Sequence, residues 1–128
     1  MFVDTSIIVE IFRDDKDSNK FQEIYEHIKD EPLFISIIQL AELSDWCLKN
    51  QINSEERVTR LKQIANVIPL NEKICFEAAR LKHTMRKKST SKFGLLDGII
   101  LASARSMNQR LLTTDNDFRS LSDAIVLQ

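Results

Sequence analysis

The apolar segments of this 128-residue chain are short, lack polar alternation and are never joined by a two-residue hairpin turn. The first, MFV, closes at Asp4; LFIS ends at Ser36; NVIPL, LLTT and AIVLQ follow at wide spacing. Between them lie stretches with helical spacing. These are Ile7 to Phe12, the set Phe21, Ile24, Tyr25 and Ile28, then Ile37 to Leu48, and a segment from about Ser54, read as its N-cap. Asn71 caps a long helix bearing Ile74, Cys75, Ala78, Leu81 and Met85, and Leu96 to Met107 forms another. RDDKDS and KKSTSK read as loops. Antiparallel neighbours can be joined by two residues, whereas parallel strands need a crossover of about a dozen, usually a helix. Strands apolar at consecutive positions are covered on both faces. The pattern predicts an α/β fold, a three-layer α/β/α sandwich with a mostly parallel five-stranded sheet, formed by residues 1–128 as a single domain.

Composition removes several classes of function. At 43% hydrophobic and 29% charged residues the chain reads as soluble and globular. No apolar run approaches the ~20 residues of a membrane span, and MFVDTSIIVEIF has no basic leader, so a cytoplasmic protein is expected. Cys47 and Cys75 lie far apart in helical segments, which suits free, packed thiols in a reducing compartment. Gly94 and Gly98 are the only glycines, so neither a P-loop nor a dinucleotide-binding glycine cradle can form. His27 and His83 stand alone, without ligand or triad spacing, and no serine sits in a nucleophile elbow.

The net charge of -1 conceals an asymmetry. Residues 1–72 hold 8 Lys+Arg against 14 Asp+Glu, and residues 73–128 hold 10 against 5. The basic excess gathers between Arg80 and Leu96, which carries Arg80, Lys82, Arg86, Lys87, Lys88 and Lys92 and no acid. By itself such a run is a solvated helix end; beside an acidic site it would suit a polyanion.

In open parallel sheets, ligands bind beyond the carboxyl ends of the strands. Asp4 closes the first strand, Glu42 follows the second in its helix, Asp97 opens the helix before the fourth, and Asp115 follows the fourth. These acids can therefore meet at one sheet edge. Asp4 and Asp97 also suit helix caps, and Asp115 and Asp117 suit a turn. Glu42 differs: its helix is apolar nearly all round, so a largely buried carboxylate is expected there, needing a partner or a cation. Crowded carboxylates repel unless a cation joins them. Mg²⁺ or Mn²⁺ meets that need and could activate water against a phosphodiester.

FVDTSIIVEIF, SIIQLAEL, LLDGIILASA and LLTTDNDF resemble, in that order, the four acidic motifs of PIN domains, and the compact layout is similar to VapC toxins. The resemblance spans essentially the whole chain. It implies a single-strand-selective endoribonuclease, often acting on tRNA or rRNA, with Asp4 and Asp97 as principal ligands of Mg²⁺ or Mn²⁺ and Glu42 and Asp115 completing the site. It further implies that Ser6 and Thr113 order the site, that Asp117 is an additional acid, and that the protein forms homodimers and has a cognate antitoxin. Gln39 departs from the family, where many members carry Thr. Arg86, Lys87, Lys88 and Lys92 then fall just before the third acidic motif, where they could steer RNA.

The competing readings are a catalytically inactive PIN-fold binding module and a PIN nuclease of RNA processing that is not a toxin. A receiver domain would want an acidic pair after the first strand, and a haloacid-dehalogenase-type phosphatase a second acid where Ser6 stands.

Overall fold

Phe2 and Val3, the two residues of β1, lie at the centre of the sheet although they open the chain. A computed structural model describes residues 1–13, 17–88 and 92–128. Parts of the two loops expected from the sequence, residues 14–16 and 89–91, lie outside the described residues. After β1 come α1 (Thr5–Phe12), α2 (Asn19–Ile28), β2 (Leu33–Ser36), α3 (Ile38–Lys49), α4 (Ser54–Ile64) and β3 (Ala65–Ile68). Then follow α5 (Glu72–Lys88), α6 (Leu95–Ser106), β4 (Leu111–Thr113), a 3₁₀ turn (Asn116–Phe118) and β5 (Ala124–Val126). The five strands are all parallel, in the order β3-β2-β1-β4-β5.

Register explains the two cores. Phe2 lies opposite Phe34 and Leu111, and Val3 opposite Leu112. Because side chains alternate across a strand, Phe2, Phe34 and Leu111 share one face, packed with Met85 of α5 and Ile100, Leu101 and Ala104 of α6. Val3, Leu33, Ile35 and Leu112 share the other, packed with Ile7 and Ile8 of α1, Ile24 of α2, Leu43 of α3 and Leu61 of α4. This is the expected three-layer sandwich.

Three local readings are corrected. Asn53, not Ser54, caps α4, its side chain accepting from the Glu56 N–H at 3.1 Å. Cys47 is a packed thiol, but Cys75 lies on the exposed side of α5. Finally, α3 is amphipathic rather than apolar all round: Gln39, Leu43 and Cys47 face inward while Leu48 is 71% exposed. Its apolar letters overstated its burial because Ala41 and Leu48 sit on the solvent side.

Gly98 sets the spacing of the second helical layer. A Cβ there would lie 2.4 Å from the carbonyl oxygen of Ala78, a fully buried residue of α5. Alanine is ordinarily better than glycine inside a helix by about 1 kcal/mol, but here the neighbour is backbone and cannot swing away. Gly98→Ala is expected to lower stability by about 1–3 kcal/mol, read as a reduced urea midpoint by circular dichroism. An unchanged or raised midpoint would contradict the close approach.

Candidate functional site

The sheet order places a switch point between β1 and β4. The chain runs outward from β1 through β2 to β3, then returns to the other side of β1 for β4 and β5. Connections leaving β1 and β4 therefore diverge, opening a crevice at the carboxyl edge. Asp4 directly follows β1, and Asp115 lies two residues beyond the end of β4.

Asp4 is buried and begins α1, yet its carboxylate makes no capping hydrogen bond to that helix. Its Oδ2 instead accepts from the hydroxyls of Ser6 and Thr113, each at 2.8 Å. Both hydroxyls are aimed by backbone. Ser6 Oγ accepts the Thr114 N–H at 3.1 Å and Thr113 Oγ1 accepts the Asp115 N–H at 3.0 Å, which leaves each hydroxyl hydrogen for the carboxylate. Burial raises the Asp4 pKa; the two hydroxyls oppose the rise and the charge of Asp115 adds to it.

Asp97 stands at the third position of α6, where Oδ2 accepts the Gly94 N–H at 2.8 Å, so Gly94 is the N-cap and Asp97 serves the first turn. Its carboxyl is pushed up to about 6, chiefly by burial, with the charges of Asp115, Asp4 and Asp117 adding and the Gly94 N–H opposing. Asp115 caps the 3₁₀ turn, accepting the Asp117 N–H at 2.9 Å. The turn reading of Asp115 thus holds, and the same turn brings Asp117 inward. Carboxylate oxygens of Asp97, Asp115 and Asp117 all lie within 4.8 Å of one another. Asp117, for which the sequence made the weaker case, belongs to this tight group.

Two buried aromatic rings draw the acid-bearing segments together. Phe93, just before α6, meets Phe118, at the end of the 3₁₀ turn, edge to face with centroids 5.4 Å apart. Arg86 fastens the same stretch to the last turn of α5, its Nε donating to the Phe93 carbonyl at 2.7 Å. Arg86 therefore has a structural duty, while Lys87, Lys88 and Lys92 are exposed and precede the third acidic motif in the chain.

Glu42 is half-buried, not largely buried as expected, because it lies between the inner and outer faces of α3. Its Oε1 accepts from the Thr5 hydroxyl at 2.6 Å. Burial raises its pKa, Thr5 opposes the shift, and Asp4 adds to it, so Glu42 faces the same acidic field. Thr5 was not singled out from the sequence; a hydroxyl beside the first acid was the available signal. An open cleft of about 700 Å³ runs alongside, lined by Thr5, Ser6, Glu42, Trp46, Leu96 and Thr114. A smaller hollow of about 280 Å³ between α5 and α6 offers one acid, Glu77, already paired with Arg80 at 2.6 Å.

The donor set fits a hard divalent cation. All donors are oxygens, and a cation bound at about 2.1 Å spans at most ~4.2 Å between opposed ligands, so modest side-chain rotation would close the three carboxylates on it. A cation there would relieve the repulsion that Asp115, Asp4 and Asp117 exert on Asp97.

A parallel α/β/α sandwich with acids gathered at its switch point belongs to the open-sheet α/β proteins that place their chemistry at the strand-end crevice, and comparison with known proteins narrows the class. The PIN domain family model matches residues 1–124, and the chain belongs to that family, whose members are nucleases that use divalent metals. No curated protein sequence matches it significantly. Among solved structures, a toxin–antitoxin complex from Klebsiella pneumoniae aligns over 98% of this chain and 95% of its own at 22% identity, with a TM-score of 0.75. VapBC-1 from nontypeable Haemophilus influenzae aligns over 99% and 96% at 25% identity, TM-score 0.73. VapC20 of Mycobacterium tuberculosis, a sarcin–ricin-loop-cleaving toxin, aligns over 94% of both chains at 16% identity, TM-score 0.70. Among the described residues, no helix is long and apolar enough to cross a membrane.

Proposed function

We propose that this protein is a metal-dependent endoribonuclease that hydrolyses phosphodiester bonds in single-stranded RNA, and that it is the toxin of a VapBC-type pair. The observation that carries this reading is the meeting of Asp97, Asp115 and Asp117 within 4.8 Å, with Asp4 and Glu42 in the same electrostatic field, at the switch point of a PIN fold. Asp97, Asp115 and Asp117, with Asp4 and Glu42 beside them, would hold Mg²⁺ or Mn²⁺. Such a cation lowers the pKa of its water and neutralises charge on a phosphoryl group.

The chain's own groups supply the rest. Ser6 and Thr113 lock the Asp4 carboxylate in one orientation. Asp97, protonated below about pH 6, must give up its proton to take part. Lys87, Lys88 and Lys92 attract the RNA backbone toward the acids, an effect that weakens as salt rises. The likeness to toxin–antitoxin complexes supports an antitoxin partner, and the homodimer that the family resemblance implies is part of the same proposal.

The test is incubation of the purified protein with a mixed-sequence single-stranded RNA in Mn²⁺, in Mg²⁺ and in EDTA. Internal cutting in metal and none in EDTA is the expected result. Cutting unaffected by EDTA would overturn the metal-dependent reading. No cutting by folded, antitoxin-free protein would make the chain a binding module.

A further inference from the structure

Gln39 is fully buried in the first turn of α3, and each end of its amide is claimed by backbone. Its Oε1 accepts the Ser36 N–H at 2.7 Å, and its Nε2 donates to the Val3 carbonyl at 2.8 Å. These groups belong to the carboxyl ends of β2 and β1, so the side chain bridges the two strands where the ladder stops. The amide can stand only one way round. Reversed, it would set two donors against each other at Ser36 and two acceptors at Val3, in a site closed to water.

That fixed orientation has a directional consequence. The second Nε2 hydrogen is left for Thr5 Oγ1, 3.4 Å away. An NH₂ group cannot accept, so the Thr5 hydroxyl receives from Gln39 and its own hydrogen is free for Glu42 Oε1 at 2.6 Å. Polarity runs one way, from the strand ends through Gln39 and Thr5 to the carboxylate. Glu42 needs such a tether: it is half-buried, and holding a glutamate in one conformation costs rotamer freedom. A hydroxyl bond to an ionised carboxylate offsets much of that.

The geometry points to Gln39 and Thr5 as positioning residues for Glu42, holding Oε1 so that the carboxylate is presented to a divalent cation among the neighbouring acids. This inference rests on the metal reading above. The arrangement is a hydrogen-bond relay outside the ligands, a type of contact whose loss weakens metal sites by roughly 10–100-fold.

The experiment is Mn²⁺ titration of the full-length protein, with free Mn²⁺ read by electron paramagnetic resonance. Thr5→Val keeps the shape and removes the hydroxyl; it is expected to weaken Mn²⁺ binding about 10-fold with little change in the unfolding midpoint. Thr5→Ser restores the hydroxyl and should bind within about twofold of the parent. Glu42→Gln should also weaken binding, and Thr5→Val added to it should cost nothing further, because both act through one carboxylate. Gln39→Met, read at a temperature where circular dichroism shows it folded, should lose affinity by the same non-additive route. Unchanged affinity in Thr5→Val, or a Thr5→Val loss that persists in full on the Glu42→Gln background, would overturn the relay while leaving the metal site standing. A parent protein that binds no Mn²⁺ would overturn both.

Discussion

Asp4→Asn is expected to reduce RNA cleavage by at least about 10²–10³-fold while leaving the fold intact. The substitution is nearly isosteric, and the amide oxygen can still accept from the hydroxyls of Ser6 and Thr113 that now hold Oδ2 at 2.8 Å. What it removes is the negative charge at the end of β1. In the metal-free protein that charge is unfavourable, since burial raises the Asp4 pKa and Asp115 adds to the rise. Stability in EDTA should therefore hold or improve, so lost activity cannot be assigned to unfolding. Single-turnover cleavage at saturating Mn²⁺, with the melting temperature in EDTA measured alongside, separates the two effects. A loss below about tenfold, with metal binding unchanged, would remove Asp4 from the site.

The layered sheet was legible because parallel strands and crossover helices impose long-range rules on short apolar runs. Asp4 and Asp115 could be placed for the same reason: each follows a strand, and the strand ends define the crevice. The burial of Glu42 was misjudged because helical spacing does not distinguish Leu48 facing water from Leu43 facing the core. Gly98 offered no local sign of its close approach to Ala78, a contact between helices whose packing depends on the whole second layer. Gln39 was noted only as a departure from the family pattern. Its duty depends on the ends of β1 and β2, Val3 and Ser36, meeting although they lie far apart in the chain, which no spacing rule could supply. Phe93 and Phe118 likewise read as two apolar residues until the fold set them edge to face and drew Asp97 toward Asp117. Residues placed by topology were visible; residues defined by contact between distant segments were not.

Because Asp97 is destabilised as an anion in the free protein and needed as one by a cation, Asp97→Asn is expected to reverse its effect on stability when metal is added. In the folded chain its carboxyl is pushed up to about 6 from an ordinary 3.8, so the folded state holds the proton more tightly than the unfolded one. The associated penalty is absent below pH ~4, where both states are protonated, grows as pH rises through that window, and is complete above pH ~6. A rise from 3.8 to about 6 corresponds to at most about 3 kcal/mol, and solvent screening at this partly exposed group reduces it to on the order of 1 kcal/mol. In EDTA at pH 8, Asp97→Asn should therefore melt about 3–5 °C higher than the parent, with the advantage fading toward pH 4. The amide oxygen still accepts from the Gly94 N–H, so the first turn of α6 survives the change. With Mn²⁺ at about a hundred times its dissociation constant, the parent should gain about 2.7 kcal/mol, and the variant, lacking the anion, far less. The order of melting temperatures then inverts at pH 8. A variant that is less stable than the parent in EDTA, or that gains as much from Mn²⁺, would show that Asp97 is held by its helix alone.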